Sequence, residues 1–469
     1  MTQPPAEPAA RNDRAFFGHP KGIGYLAGTE VWERFSYQGM KSLLMLYLTK
    51  YLLLDNRPDH VAGLRGFRDG LEGLFGPMSD LAFSAQVFSL YSTGILITPL
   101  LGAVLGDRVL GRVRAITIGA LMMAAGHLTM ALEAALLPAL LLLILGAGLM
   151  LGNLPALIGE HYATEDERRT RGYAIYLMAI NIGSMASPLV VGTLGEKVGW
   201  HYGFGAAGIG MIIGTLTFIA GRPFYPAGKL TRRGDNAKLD RAEWKVVGAI
   251  LFCQFIRMLY TCAVALPYGL MLVWADTAVD RVIFGWEMPV TWILVADGIL
   301  TILGISFASW VWKHRADRGR ELSDPVKIGI GCLIITGSFV MIAALATLPK
   351  VPLLAWVGFY VVMAFSIAWA DPPISSLTSR YAPKPVNATM MALIRLFSSL
   401  AYLITGYLAL FYERLGPPAF FLIIAAIPAM GAAIVLVFDS AIMRVLRSAV
   451  ARQEPPVPTF HDAEPLGAA

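Results

Sequence analysis

Charge is what this sequence has least of. Of its 469 residues only 15% are Asp, Glu, Lys or Arg, while 56% are hydrophobic. A soluble chain needs a charged exterior, about a quarter of its residues. This composition therefore excludes a water-soluble protein of two or three domains. Cysteine is nearly missing. Cys253, Cys262 and Cys332 lie in apolar stretches without metal-ligand or disulfide spacing, and they read as packing residues. No nucleophile–base set, metal-ligand cluster or phosphate loop is present in the pattern. The polar segments are too short for a second domain, so neither an enzyme nor a bound cofactor is expected. Met1–Arg14 is polar and Pro/Ala-rich and has no apolar core followed by a cleavage site, so no signal peptide is expected.

What the sequence does have is long apolar runs. Crossing the hydrocarbon core takes about 20 mostly apolar residues. Twelve runs qualify: Gly22–Leu53, Leu81–Leu105, Arg114–Leu132, Leu137–Ile158, Tyr173–Leu194 and Tyr202–Ala220, then Ala242–Trp274, Val290–Trp312, Val326–Leu348, Leu353–Leu377, Thr389–Tyr412 and Ala419–Val445. The net charge of +6 is spread over short runs between these spans, which points to membrane topology and not to nucleic acid. The even-numbered loops carry it: Arg108/Arg112/Arg114, Arg168/Arg169/Arg171, the linker with Lys229, Arg232, Arg233, Lys238 and Arg241, Lys313/Arg315/Arg318/Arg320, and Arg380/Lys384. The excess of positive charge places both termini in the cytoplasm. Long helical spans point to a bacterial-type inner or plasma membrane.

The expected organisation is a cytoplasmic segment over 1–21, a six-helix bundle over 22–221, a cytoplasmic linker over 222–243, a second six-helix bundle over 244–447 and a disordered tail over 448–469. This all-α membrane architecture, two six-span halves about a central linker, is the plan of the major facilitator fold. In that fold the halves rock around a midplane site.

Charges inside apolar spans are expensive in lipid and mark candidate sites. The first span holds Glu30-Val-Trp-Glu33-Arg34-Phe35-Ser36-Tyr37-Gln38-Gly39. Glu30 and Arg34 are four apart and share a helix face. A purely structural ion pair is the plainer reading; a proton- or solute-binding cluster is the functional one. An acid in a partly dehydrated cavity binds a proton more readily, and a neighbouring arginine opposes this. Protonation can therefore free or lock Arg34.

With His19-Pro20-Lys21-Gly22 upstream, this stretch resembles the ExxERFxYYG signature of the proton-dependent oligopeptide transporter (POT) family, peptide–proton symporters of the major facilitator superfamily. Gln38 stands at the second tyrosine and Lys41 at a position usually arginine. Gly102-Ala-Val-Leu-Gly106-Asp107-Arg108-Val-Leu-Gly111-Arg112 resembles the superfamily's inter-span loop, which implies conformational gating by Gly102, Asp107, Arg108, Gly111 and Arg112. Tyr176-Leu-Met-Ala-Ile180-Asn181-Ile182-Gly183-Ser184 resembles a second family signature, FYxxINIGS. It implies that Asn181 contacts the peptide backbone; the plainer reading is an interhelical hydrogen bond. Asp324-Pro325-Val-Lys327 and Tyr381-Ala382-Pro383 fit family loops more weakly, so the likeness is stronger in the first half.

The departures bear on the solute. The resemblance places a lysine where Leu151 stands and a glutamate where Ile367 stands. In the family these two charges engage or couple to the two ends of the peptide. New charges appear instead: Asp297, at a family asparagine, and Arg257, Asp371 and Arg395, each in an apolar span. They either neutralise one another, for example Arg257 with Asp297 or Arg395 with Asp371, or they bind solute. Tyr37, Gln38 and Lys41 are candidate liners, and so are Tyr91, Trp292 and Trp369, which are otherwise ordinary packing.

The reading expected from these features is a monomeric, proton-coupled importer of short peptides. It would work by alternating access, with Glu30, Glu33 and Arg34 coupling the proton gradient to transport. Two alternatives stay open at this stage. One is a relative adapted to another peptide-like solute, such as a muropeptide, a modified peptide or a peptide antibiotic. The other is a sensor on the same fold.

Overall fold

A computed structural model describes residues 13–54, 60–163, 166–226 and 239–453, with side chains to residue 448. Lys229, Arg232, Arg233 and Lys238 of the linker, and most of the two terminal segments, lie outside the described residues.

Twelve principal helices follow in order: α1 Lys21–Tyr47, α2 Asp80–Leu105, α3 Arg112–Thr129, α4 Leu136–Leu151, α5 Arg168–Ser187, α6 Trp200–Gly221, α7 Arg241–Val264, α8 Ile293–Ala316, α9 Asp324–Leu345, α10 Leu353–Tyr381, α11 Asn387–Ala409 and α12 Tyr412–Gln453. Ten helical stretches among the described residues are long and apolar enough to cross a membrane. The two short of that are α1, which carries Glu30, Glu33, Arg34 and Lys41, and α3, which begins Arg112-Val-Arg114. Both pack inside the first bundle, α1 against α5 and α6 and α3 against α4 and α6. The charges of α1 are thereby shielded from lipid, whereas Arg114 is exposed at the start of α3. The last helix runs to Gln453, past the expected boundary at residue 447, and kinks at Gly416 (φ 74°) ahead of Pro417 and Pro418.

Lipid exerts no hydrophobic force between helices, so close backbone approach does the packing. A Cβ on Gly102 of α2 would stand 2.0 Å from the Gly148 carbonyl oxygen of α4. The Asn153 amide seals this contact, donating to the carbonyls of Gly102 (2.9 Å) and Leu149 (2.8 Å). Gly183 of α5 presses on α1, where a Cβ would lie 2.2 Å from the Val31 oxygen. Large apolar side chains such as Leu101, Leu216 and Val437 point outward, a surface suited to acyl chains.

The two halves meet at the end of the molecule opposite the basic loops. Between α2 and α11, Gln86 Nε2 donates to the Gly406 carbonyl (3.0 Å), Ser89 Oγ to Tyr402 O (2.7 Å) and Thr93 Oγ1 to Ser399 O (3.2 Å). Beyond α5, the Glu196 carboxylate accepts from the backbone N–H groups of Val290 (2.8 Å) and Thr291 (3.0 Å) and from the Thr291 hydroxyl (2.6 Å). It caps the turn that leads into α8. Thr193 Oγ1 accepts from Trp292 Nε1 (2.8 Å), and Lys50 pairs with Asp276. This latch holds the opposite face shut, so the space between the bundles opens toward the basic face.

Charge-assisted bonds of this kind are worth about 1.5–3 kcal/mol each. Glu196→Ala should loosen the latch. A cysteine placed at Thr93, buried in the wild-type seam, should then react about tenfold faster with a bulky, membrane-impermeant thiol reagent added at the opposite face. Unchanged labelling would mean that the carboxylate does not hold the bundles together.

Candidate functional site

The interior charges gather along the walls of this opening. On α1, Glu30 and Glu33 are fully buried and the Arg34 side chain is about one-fifth exposed. Arg34 Nε lies 2.7 Å from Glu30 Oε1 and 2.9 Å from Glu33 Oε2. Its N–H points to Glu30. The Glu33 contact is therefore electrostatic only, and both Glu33 oxygens lack a hydrogen-bond donor. An anionic Glu33 is thus a buried charge with no donor. Such a charge costs several kcal/mol unless a proton or a closer cation compensates it. Neighbouring helices fix the segment: Ser187 Oγ donates to Phe35 O (2.5 Å) and Ser36 Oγ to Ala207 O (2.6 Å).

Further along α1 the charges alternate with rings. The Arg34 guanidinium stands 5.5 Å from the Tyr37 ring centre. Lys41 Nζ lies 4.1 Å from the ring of Tyr268 and 5.3 Å from that of Tyr402, and it donates to the Tyr402 hydroxyl (3.0 Å). The Tyr268 hydroxyl donates to Asp297 Oδ2 (2.8 Å). Tyr37, Lys41 and Asp297 thus belong to one wall, with the lysine in an aromatic cage. Gln38 is buried beside them.

The pairing of the second-half charges differs from the expectation. Arg257 does not meet Asp297. It binds Asp371, with Nε and Nη2 at 2.9 and 2.8 Å from Oδ1, and its Nη1 donates to Ser398 Oγ (2.6 Å). Arg395 does not meet Asp371. It is exposed in the opening and has no acidic partner among the described residues, and the charge of Arg34 reaches it. The physical reason is helix phase. Asp371 on α10 faces α7, whereas Arg395 is one turn before Ser398 on α11 and points at the first bundle.

The Arg257–Asp371 pair yields a test. Arg257→Met leaves a half-exposed aspartate unpaired and should cost about 1–2 kcal/mol, less than a fully buried pair. Adding Asp371→Asn should recover more than half of the lost melting temperature. Additive losses in detergent unfolding would show that the two side chains are uncoupled.

The remaining candidates lie elsewhere. Asn181 donates to its own helix at Leu177 O (2.8 Å) and is half-buried. Trp369 packs against Trp312, and Trp292 belongs to the latch. Leu151 is buried and Ile367 is half-buried. At the basic end of α2, Arg112 bridges Asp107 (2.8 Å) and Glu160, Gly111 adopts φ +76°, and Arg108 is exposed. Sequence reasoning missed Tyr268, Tyr402, Glu160 and Glu196. Of these, only Tyr402 carries a signal, since it sits two turns beyond Arg395 on one face of α11.

Two six-helix bundles, latched at one end around a charged opening, define a major facilitator fold. A POT family model matches residues 113–235. The di-/tripeptide transporter of Lactococcus lactis subsp. cremoris is 26% identical over 93% of this chain and 98% of its own length. An uncharacterised transporter of Bacillus subtilis is 25% identical, covering 92% and 96%. Among solved structures, a mutant peptide transporter POT in complex with alafosfalin superposes with a TM-score of 0.83 at 25% identity, covering 94% of this chain and 98% of that one. The chain thus resembles the POT family along most of its length, and the stretch that matches the family model lies in the first half and the linker.

Proposed function

We propose that the protein imports short peptides together with protons by alternating access, as a monomer in a bacterial-type inner membrane. The observation that carries this reading is the Glu30–Glu33–Arg34 cluster. It is a buried, ion-paired group with one donor-free carboxylate, set in the wall of an opening between two bundles that can rock. With the basic loops and both termini in the cytoplasm, the opening faces inward and the latch at Glu196 and Lys50 closes the outer side.

In this mechanism a proton arriving from outside neutralises Glu33, and Arg34 is left to Glu30 and to the solute. Deprotonation toward the cytoplasm draws Arg34 back between the two carboxylates and resets the carrier. Gly102, Asp107, Arg108, Gly111 and Arg112 act at the inner end, where the Arg112 bridge to Asp107 and Glu160 ties the turn between α2 and α3 to the short helix Leu154–Glu160 that follows α4. Names of relatives that transport di- and tripeptides or hold a peptide conjugate support the cargo class. Leu151 and Ile367 alter how a peptide is held and leave its class unchanged.

The experiment is uptake of labelled di- and tripeptides by proteoliposomes with and without an inward proton gradient. Accumulation that needs the gradient supports the reading; equal uptake with and without it rules out coupling.

A further inference from the structure

We infer that Arg395 is the anchor for the solute's anionic group, acting with Arg34 from across the opening. The inference deepens the transport reading above and rests on it for the location of the site.

The position of Arg395 is set by α11. Residues 395, 398, 399, 402 and 406 follow helical spacing and share one face. The outer members of that face are engaged: Gly406, Tyr402 and Ser399 accept hydrogen bonds from α2, and Ser398 accepts from Arg257. Arg395 is one turn inward of the last seam contact, Thr93–Ser399, where the bundles have just parted. Its side chain is exposed there, at the roof of the opening.

The charges show what is missing. Four acids, Glu30, Glu33, Asp297 and Asp371, and four bases, Arg34, Lys41, Arg257 and Arg395, stand around the opening, with Glu30 and Glu33 fully buried behind it. Glu30 and Glu33 serve Arg34, Asp371 serves Arg257, and Asp297 lies beyond Tyr268 near Lys41. Arg395 alone among these bases has no acid and no hydrogen-bond acceptor among the described residues. Once a proton neutralises one carboxyl on α1, the set carries one excess positive charge, and it falls on the Arg34–Arg395 side. A guanidinium held at membrane depth without a counter-charge is expensive and marks a ligand position. Its planar fork matches a carboxylate in two parallel hydrogen bonds. Leu151, on α4, offers no rival cation. The site thus takes solutes with a free carboxylate, the C-terminus of an unmodified peptide, and holds it from the second bundle.

The test compares dialanine with dialaninamide, which differ only in the terminal carboxylate. The readouts are thermal stabilisation of the purified full-length protein and uptake by proteoliposomes. Wild type should bind and carry dialanine about 10- to 100-fold better than the amide. Arg395→Ala should abolish that preference while amide uptake stays within about threefold, and Arg395→Lys should restore part of it. If Arg395→Ala keeps the preference, or loses both ligands equally while still monodisperse, the inference is overturned. If wild type transports neither dipeptide yet dialanine stabilises it through Arg395, the anion anchor stands and the peptide-import reading falls.

Discussion

Proteoliposomes carrying Glu33→Gln should lose gradient-driven accumulation and keep exchange. Each pH unit of gradient is worth 1.36 kcal/mol per proton carried, so an inward gradient of about two units supports about 100-fold accumulation. Glutamine fills the volume of a protonated glutamate and cannot release a proton. It fixes the cluster as a neutral Glu30–Arg34 pair, which the hydrogen bond from Arg34 Nε to Glu30 already favours. The carrier can then bind and exchange solute, because exchange never needs the deprotonated state. It cannot reset by giving up a proton. The expected accumulation ratio is about 1 at any gradient, with counterflow within about threefold of wild type. Undiminished gradient-driven uptake in this variant would remove Glu33 from the mechanism.

The second large effect falls on the fold. Gly102→Val should destabilise the protein by about 3 kcal/mol or more, because the clash is with backbone. An added Cβ meets the Gly148 carbonyl at 2.0 Å and its carbon at 2.5 Å, so α2 and α4 must part. Parting them also breaks the Asn153 bond to the Gly102 carbonyl. In detergent the melting temperature should fall on the order of 5–10 °C. Gly205→Ala is the control. It has open space around its Cβ and lies within α6, where alanine is the better helix former. A Gly102→Val protein that melts like wild type would contradict the close α2–α4 contact. This glycine is read from the sequence as part of a gate; the structure gives it a packing duty as well.

Much of the architecture is legible along the chain because lipid imposes local rules. Apolar runs of sufficient length locate the spans. The Glu30–Arg34 pair is legible for the same reason, since partners four residues apart meet within one helix. What escapes the sequence is long-range pairing. Arg257, Asp371 and Ser398 lie on three helices, and only the relative rotation of those helices decides that Arg257 meets Asp371 and not Asp297. The Tyr268–Tyr402 cage around Lys41 is invisible for that reason too, as is the Glu196 latch, whose partners are backbone groups nearly a hundred residues away. Gln453 ends a helix expected to stop earlier because a helix end beyond the bilayer carries no apolar signal.

The most direct test of the central claim is whether protons travel with the solute. Proteoliposomes loaded with a pH-sensitive dye and held at equal pH on both sides should acidify inside when dialanine is added outside, at a rate that follows dialanine uptake. The Glu33→Gln variant should give no acidification. Dialanine uptake by wild type with no change in internal pH would contradict proton coupling through the Glu30–Glu33–Arg34 cluster.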